Sequence, residues 1–328
     1  MKAFEFAEGR SEAEILEFLS PQPGHTELLA GGTDLVGLMK KMIVTPDRVV
    51  SLMRVATMKQ IAPQADGGIK IGAAVTLDDV LAHPYMADYP AVLQAIRGIN
   101  SMQLQAQGTL GGEICQRPRC WYYRNGQCLL SVGTRLGGDT RNAAIFGNAG
   151  PAKYVCGSRI APALIALGAQ IRILGPTPRD EKLIELESFY RTPRHEQQRE
   201  NVLEPNQLVT HVILPPARDV LSATYEVRHG EGPDYPLAAA AAALRVEGGV
   251  VREARIVLGQ VAPTPWVSHE AAQALVGQPL DQAAAVAAGE AAVARATPLA
   301  DNQYKVQMAK VAVKRSILLA AGYESGGF

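Results

Sequence analysis

The chain has no net charge, few aromatic residues and no long hydrophobic run. Its 32 Lys and Arg residues balance 32 Asp and Glu residues in a length of 328, and only 5% of residues are aromatic. A neutral chain has no electrostatic reason to bind nucleic acid or an anionic membrane. The longest apolar stretch, residues 236–244, is mostly alanine and far shorter than the ~20 residues that span a bilayer. We therefore predict no nucleic-acid partner and no membrane span.

Familiar catalytic and targeting patterns are also absent. No G-x-G-x-x-G, lysine-bearing P-loop, G-x-S-x-G or H-E-x-x-H pattern occurs, and the six histidines are scattered. We therefore predict no catalytic residue of the chain's own. Residues 1–6 contain one basic residue and no apolar core, unlike a signal peptide. With only four cysteines, this start favours a cytoplasmic protein whose thiols serve metal or redox chemistry.

The order of predicted elements indicates an α+β protein of two or three domains. The first part alternates short strands and helices up to about residue 217. The part from about residue 218 begins with strands and ends with helices, which is typical of a separate α+β domain. Residues 237–247 include an alanine run that by itself favours a helix. The following Gly248-Gly249 and a second apolar run favour a β-hairpin, so we predict a strand there.

Two double-glycine segments are candidates for binding a phosphate. Gly31-Gly32 lies between a predicted strand and a predicted helix. Thr109 precedes a second pair, Gly111-Gly112, within a glycine-containing turn that we predict over residues 107–113. Glycines allow the backbone to approach a bulky anion, and a helix N-terminus offers free N–H groups. Thr33 or Asp34 is expected to cap the first helix. Two such turns could close on one pyrophosphate, or each could be a tight turn before a capped helix.

The four cysteines lie in or beside an irregular, glycine-rich segment, which needs something to order it. They are Cys115, Cys120, Cys128 and Cys156, with the spacing C-x4-C-x7-C-x27-C. Four thiolates suit a cubane iron–sulfur cluster or a structural zinc ion, and the lack of a C-x2-C pair makes zinc the weaker choice. Neighbouring aromatic residues 121–123 would shield a cluster, and nearby arginines would offset its charge. Four reduced, buried cysteines are the alternative.

The strings Ala30-Gly31-Gly32-Thr33-Asp34-Leu35 and Thr109-Leu110-Gly111-Gly112 resemble the two flavin-pyrophosphate motifs of the FAD subunits of molybdenum hydroxylases. Residues 161–169 and 261–266 also resemble segments of that family, so the resemblance spans nearly the whole chain. It implies a two-subdomain FAD-binding domain of the PCMH/vanillyl-alcohol-oxidase type and a C-terminal domain with an antiparallel sheet and helices. The implied flavin-binding residues are Leu29, Ala30, Gly31, Gly32, Thr33, Asp34, Leu35, Val36, Thr109, Leu110, Gly111, Gly112 and Glu113.

The segment from Cys115 to Asn125 is similar to an inserted loop in one branch of the family. That branch includes the β subunit of 4-hydroxybenzoyl-CoA reductase and the flavin subunit of a periplasmic aldehyde oxidoreductase, in which the loop binds a 4Fe–4S cluster. The resemblance implies such a cluster here, ligated by Cys115, Cys120, Cys128 and Cys156. The expected divisions are an FAD-binding domain (1–217), its subdomains (about 1–55 and 56–217), the iron–sulfur loop (about 113–157) and a C-terminal domain (218–328).

The resemblance also implies partners and an activity. A large subunit would carry the molybdenum cofactor, a small one two 2Fe–2S clusters, and the assembly would be a heterotrimer or a dimer of heterotrimers. The chain would relay electrons between these centres and an external partner such as a ferredoxin-like protein. A self-contained FAD oxidoreductase and a zinc-stabilised scaffold subunit are the alternatives.

The chain departs from the family pattern at several points. Glu113 stands where the family has Asn, and Arg159 stands near a usual Asp, so we consider Arg159 as a phosphate contact. No cysteine occurs in residues 131–138, where the family has a further one; loss of the cluster is therefore the competing possibility. Tyr235 is a candidate for stacking on the flavin ring or for a place in the core.

Overall fold

The structure is a computed structural model that describes residues 1–130, 138–230, 232 and 234–323. In chain order its strands are β1 (Glu5–Glu8), β2 (Thr26–Leu29), β3 (Arg48–Ser51), β4 (Ile61–Pro63), β5 (Ile69–Gly72), β6 (Gln170–Leu174), β7 (Glu181–Glu185), β8 (Leu208–Leu214), β9 (Leu221–Val227), β10 (Ala238–Glu247), β11 (Val250–Gly259) and β12 (Trp266–Val267). Its α-helices are α1 (Glu12–Phe18), α2 (Leu35–Lys40), α3 (Leu77–Ala82), α4 (Pro90–Gly98), α5 (Met102–Gln107), α6 (Leu110–Cys115), α7 (Trp121–Arg124), α8 (Ala161–Ala166), α9 (Leu186–Phe189), α10 (His269–Leu275), α11 (Gln282–Val293) and α12 (Tyr304–Ala320).

The first sheet is parallel and has the order β1-β3-β2. Parallel neighbours need crossover connections, and α1 and α2 lie in the connections that follow β1 and β2. The helix α1 begins where the Ser11 side chain accepts the N–H of Glu14, and it buries Ile15 and Leu16. At the end of β2 the chain passes through residues 30–34 directly into α2, which places the first double-glycine turn at the sheet edge.

The second sheet is antiparallel, with the order β4-β5-β8-β6-β7. Its central strands are apolar, and Ile71 of β5 and Val212 of β8 are fully buried. Val50 of the first sheet belongs to the same hydrophobic cluster. The two sheets therefore share one core. Helices α3 to α6 lie in the connection between β5 and β6.

The C-terminal sheet is antiparallel, with the order β12-β11-β10-β9, and α10, α11 and α12 pack with it. The alanine run forms strand β10, which confirms the predicted hairpin, and Gly248 and Gly249 turn it with φ of +58° and +80°. Ala240 and Ala242 belong to the C-terminal hydrophobic cluster, whereas Ala241 belongs to the main one. Helices approach both faces of the strand, and only small side chains leave room for them.

The predicted α+β class is confirmed, with one local difference in the first part of the chain. Residues 107–113 were expected to form a turn, but α5 ends at Gln107 and α6 begins at Leu110. The hydroxyl of Thr109 accepts the N–H of Gly112 at 3.1 Å and so caps α6. In the part of the chain that the structure describes, no helix is both long and apolar enough to cross a membrane.

Candidate functional site

The two double-glycine segments face one cavity of about 320 Å³, which is also lined by residues of β2 and β8. Of the predicted flavin-binding residues, the lining includes Ala30, Gly31, Gly32, Thr33, Asp34, Leu35, Thr109, Gly111 and Gly112. Leu29, Val36, Leu110 and Glu113 do not line it. Segments far apart in sequence thus meet at one site, as the double-glycine pattern suggested.

Gly31 is required by a backbone contact between the two segments. A Cβ at this position would lie 1.6 Å from the carbonyl oxygen of Gln107, just before the second segment. Gly111 is similarly confined, because a Cβ there would lie 2.8 Å from the Ala73 carbonyl oxygen. Gly32 has a different requirement: its φ of +74° lies in the left-handed region. The glycines therefore bring the two segments together and shape the cavity wall.

The first turn presents a row of free donors to the cavity. The backbone N–H groups of Gly31, Gly32, Thr33 and Asp34 donate to no protein acceptor within the described residues. Asp34 lies at the N-cap of α2 but makes no capping bond with its side chain, so the expected cap is wrong. Consecutive free amides at a helix N-terminus form a concave site that favours an anion.

The second segment contributes a wall and few free donors. The N–H of Leu110 donates to the Val75 carbonyl at 2.9 Å, and that of Gly111 donates to the Ala73 carbonyl at 2.8 Å. The N–H of Gly112 is taken by the Thr109 hydroxyl. The unpaired backbone donors for an anion therefore come from the first turn rather than from the second segment.

The cavity lining includes three arginines, two of them in residues 191–199, and the acidic residues Glu27, Asp34 and Glu204. Arg191 and Arg199 line the cavity together with Gln197. The Nε of Arg191 donates to the Arg199 carbonyl at 3.3 Å, and Arg199 pairs with Glu27 at 3.3 Å. No local pattern marks these arginines in the sequence, because only the folded chain places the segment beside the double-glycine turn.

Arg159 does not face a phosphate site. It is 3% exposed and its Nε donates to the Glu226 carboxylate at 2.9 Å; its Nη2 also contacts Glu226 and the Gly98 carbonyl. The proposed phosphate contact is therefore wrong, since a buried carboxylate already neutralises the guanidinium. The backbone N–H of Arg159 instead donates to Glu113 at 2.7 Å.

Glu113 lies at the start of α6, next to the cavity. Gln116 donates to its second carboxylate oxygen at 2.6 Å. Dense packing around the carboxylate raises the pKa of Glu113 to about 7, against the lowering effect of the Arg159 hydrogen bond and charge. This residue therefore changes charge near neutral pH beside the candidate anion site.

Tyr235 is held by two side chains of the cysteine-rich loop, residues 115–130. Its hydroxyl accepts a hydrogen bond from Arg119 Nε at 2.8 Å and donates to Gln116 at 2.9 Å. The Arg119 guanidinium lies 4.9 Å from the ring centroid. Burial raises the pKa of Tyr235 to about 12, so the phenol stays protonated at neutral pH. Stacking of this ring on a flavin stays a prediction.

The four cysteines have separate environments. Cys115 packs against the main core, Cys120 packs against a small cluster formed by the loop, and Cys156 is buried and donates its N–H to the Ala262 carbonyl at 2.8 Å. Cys128 is exposed, and Trp121 is 60% exposed, so it does not shield a buried centre. Residues 131–137 of the expected iron–sulfur loop lie outside the described residues. The described residues, which include all four thiols, form no metal-binding group of three or more side chains. In this arrangement the cysteines do not fit a four-thiolate cluster.

Two sequence families match the chain, one to each domain. Residues 2–217 match the family described as "FAD binding domain in molybdopterin dehydrogenase". Residues 223–320 match the "CO dehydrogenase flavoprotein C-terminal domain". The chain is 32% identical over 317 residues to the aldehyde oxidoreductase FAD-binding subunit PaoB of Escherichia coli, covering 94% of this chain and 96% of that one. It is 26% identical over 320 residues to the carbon monoxide dehydrogenase medium chain of Afipia carboxidovorans, covering 96% of each.

Solved structures agree in fold. Carbon monoxide dehydrogenase from Hydrogenophaga pseudoflava is similar with a TM-score of 0.77 and 24% identity over 97% of each chain. Quinoline 2-oxidoreductase from Pseudomonas putida 86 gives a TM-score of 0.75 and 23% identity, covering 98% of this chain and 99% of that one. At such identities the likeness shows the fold alone. The two domain matches and the relative from Escherichia coli go further: the chain belongs to the family of FAD-binding medium subunits of molybdenum hydroxylases and is a subunit of an oxidoreductase.

Proposed function

We propose that this chain is the FAD-holding electron-transfer subunit of a molybdenum hydroxylase complex, with the pyrophosphate of FAD bound at the turn around Gly32. The observation that carries the proposal is the row of unpaired N–H groups from Gly31 to Asp34 on the cavity wall. A pyrophosphate supplies the negative charge and the acceptor oxygens that this row lacks.

Three parts of the chain have distinct roles in this proposal. The first turn donates hydrogen bonds, and the capped start of α6 forms another part of the cavity wall. Arg191 adds positive charge at the cavity, which favours an anionic ligand, whereas Arg199 is already paired there with Glu27. FAD supplies one- and two-electron redox chemistry, while the protein fixes its position and environment.

The partners are inferred from the relatives. Several are named as medium chains or FAD-binding subunits, including those of carbon monoxide dehydrogenase and aldehyde oxidoreductase. We propose that a large subunit with the molybdenum cofactor and a small subunit with 2Fe–2S clusters associate with this chain. Electrons would pass between those subunits and an external carrier such as a ferredoxin-like protein. A cytoplasmic location is part of the proposal, and the low cysteine content agrees with a reducing compartment.

The predicted 4Fe–4S cluster is not needed for this proposal. The prediction of a cluster rests on the resemblance of the cysteine-rich segment to the inserted loop, whereas the described thiols form no metal-binding group of three or more side chains. No electron-transfer step is therefore routed through it.

The binding site is tested by replacing Gly32. At a φ of +74°, a β-branched side chain is strained, and Val36 Cγ2 lies 3.1 Å from the position of a Cβ. We expect Gly32→Val to lower the FAD content of the purified protein at least tenfold, with a folded circular dichroism spectrum. Gly37→Ala in α2 is the matched control, because a Cβ there meets no atom within 4 Å and FAD should be retained. Equal FAD content in the two variants would contradict the proposed site.

The relay role is tested in the assembled complex. The chain expressed alone should bind FAD but oxidise no aldehyde or heterocycle with an artificial acceptor. Co-expression with the large and small subunits should restore turnover and yield a complex that elutes as one species. Turnover by the chain alone would instead support a self-contained flavin oxidoreductase.

A further inference from the structure

The cysteine-rich loop, residues 115–130, is fastened to the candidate flavin turn by one carboxylate. Asp34 accepts the backbone N–H of Arg117 at 2.9 Å. Its other oxygen lies 2.7 Å from Arg124 Nη1 and 3.5 Å from Arg119 Nη1. We call these four residues the Asp34 latch. The side chains of Asp34 and Arg124 are 17% and 16% exposed, so water screens their ion pair only weakly.

Arg124 also closes the loop on itself. Its Nε donates to the Pro118 carbonyl at 2.9 Å, and its Nη2 donates to the Arg117 carbonyl at 2.7 Å. One guanidinium thus binds two backbone carbonyls and the Asp34 carboxylate at once. Charge-assisted contacts of this kind hold an irregular segment in one conformation.

Arg117 provides a second anchor. Its Nη2 lies 2.9 Å from the Glu200 carboxylate, in a pair whose side chains are 16% and 10% exposed. Its guanidinium also lies 5.0 Å from the ring centroid of Tyr123. The loop is therefore tied to the segment that carries Arg199 as well as to the first turn.

The loop has a small apolar core of its own. Its buried members are Leu38, Tyr123, Leu129, Leu130, Ala152 and Tyr154. This cluster joins α2, the loop and the chain before Cys156. Apolar burial and the Asp34 latch together account for the order of a segment whose irregular sequence suggested that a metal was needed.

We propose that this chain retains the loop of the iron–sulfur branch but holds it with the Asp34 latch in place of a cluster. A cubane requires four thiolates around one centre, whereas Cys115 and Cys120 pack against different hydrophobic clusters and Cys128 is exposed. In this proposal the chain holds no iron–sulfur cluster beside the proposed FAD. The absence of a cluster does not depend on how FAD is bound, although the latch carboxylate belongs to the first turn of the proposed FAD site.

The first test measures iron and acid-labile sulfide in anaerobically purified protein, before and after reconstitution with ferrous iron and sulfide. The control is a variant with all four cysteines replaced by serine. We expect the native chain to hold no more iron than this control. About four iron and four sulfide per chain, lost in the serine variant, would overturn the proposal. FAD measured in the same samples reports separately on the proposed function.

The second test measures hydrogen exchange of residues 115–130. Asp34→Asn and Arg124→Gln each weaken the Asp34 latch, and amide exchange in the loop should accelerate roughly tenfold or more. Asp79→Asn is the control, because that carboxylate accepts a hydrogen bond from the capping residue Thr76, away from the loop, and the loop should be unaffected. Loop exchange that stays at the control rate in both latch variants would overturn the proposal.

Discussion

The carboxylate of Asp34 accepts the backbone N–H of Arg117, a residue 83 positions further along the chain. Asp34 is placed where it would ordinarily cap α2, and the bond to Arg117 leaves the helix uncapped. The free N–H groups of the first turn are consequently available to a bound anion. One side chain thus connects the order of the cysteine-rich loop with the state of the candidate flavin site.

Gly31→Ala should destabilise the protein and abolish FAD binding together. The new Cβ would lie 1.6 Å from the Gln107 carbonyl oxygen, so the two double-glycine segments must separate. A loss of roughly 3 kcal/mol in the free energy of unfolding is expected from backbone overpacking of this kind. Urea denaturation of the apoprotein and FAD titration measure the two effects. Gly150→Ala, which meets no atom within 4 Å, should change neither quantity; a similar result for Gly31→Ala would contradict the contact.

FAD affinity should fall as the pH rises through about 7, because Glu113 becomes charged beside the cavity. At an effective dielectric constant near 20, a unit negative charge ~10 Å from an anion weakens its binding by ~1.5 kcal/mol, so we expect an affinity about tenfold lower at pH 8 than at pH 6. Glu113→Gln should remove this dependence. Kd for FAD, measured by flavin fluorescence at both pH values, checks the result. A variant with the same pH dependence as the native chain would rule out Glu113 as its source.

Lys305 should make stability rise with pH. It is 2% exposed, its Nζ donates to the carbonyls of Gln260 at 2.8 Å and Ala143 at 3.2 Å, and burial lowers its pKa from 10.5 to about 7. Between these values the unfolded chain binds more protons than the folded one. The free energy of unfolding therefore increases with pH over this window, by up to ~1.4 kcal/mol per pH unit, and this contribution is lost as the pH falls towards 7.

Lys305→Met should remove that part of the pH dependence. Guanidinium denaturation at several pH values from about 7 to 10 measures the slope. Lys310→Met, on the same helix but in an ion pair with Glu290, should keep it. Equal slopes in the native protein and Lys305→Met would show that the buried lysine is not the titrating group.

Glu226→Gln should strongly destabilise the fold, because it leaves the Arg159 guanidinium buried with a weaker partner. Removing one member of a buried ion pair costs about 3–5 kcal/mol. The double variant Arg159→Met/Glu226→Leu should recover much of the loss, since no buried charge remains. Asp88→Asn breaks an exposed pair with Arg218 and should cost less than about 1 kcal/mol. Similar losses for Glu226→Gln and Asp88→Asn in urea denaturation would contradict the assigned burial.

Local sequence patterns predicted the elements well where a single physical cause dominates. Gly248-Gly249 and the apolar run that follows it identified the β10–β11 hairpin although alanine favours a helix. The alanines suit this strand because a strand with both faces covered needs small residues. The start of α6 was missed because Thr109 looks like a turn residue until its hydroxyl is seen to cap a helix. The first double-glycine turn was recognised from its two glycines, which a close backbone approach at Gly31 and a positive φ at Gly32 require.

The sequence by itself determined the family, the α+β class and the two glycine turns that meet at the cavity, since these depend on short patterns and their order. Only the tertiary structure decided which charges pair. Arg159 could have met a phosphate but lies against Glu226, and Asp34 could have capped α2 but holds Arg117. It also decided that Cys115 and Cys120 face different hydrophobic clusters. Side-chain partners separated by tens of residues are chosen by packing, and no local pattern encodes that choice.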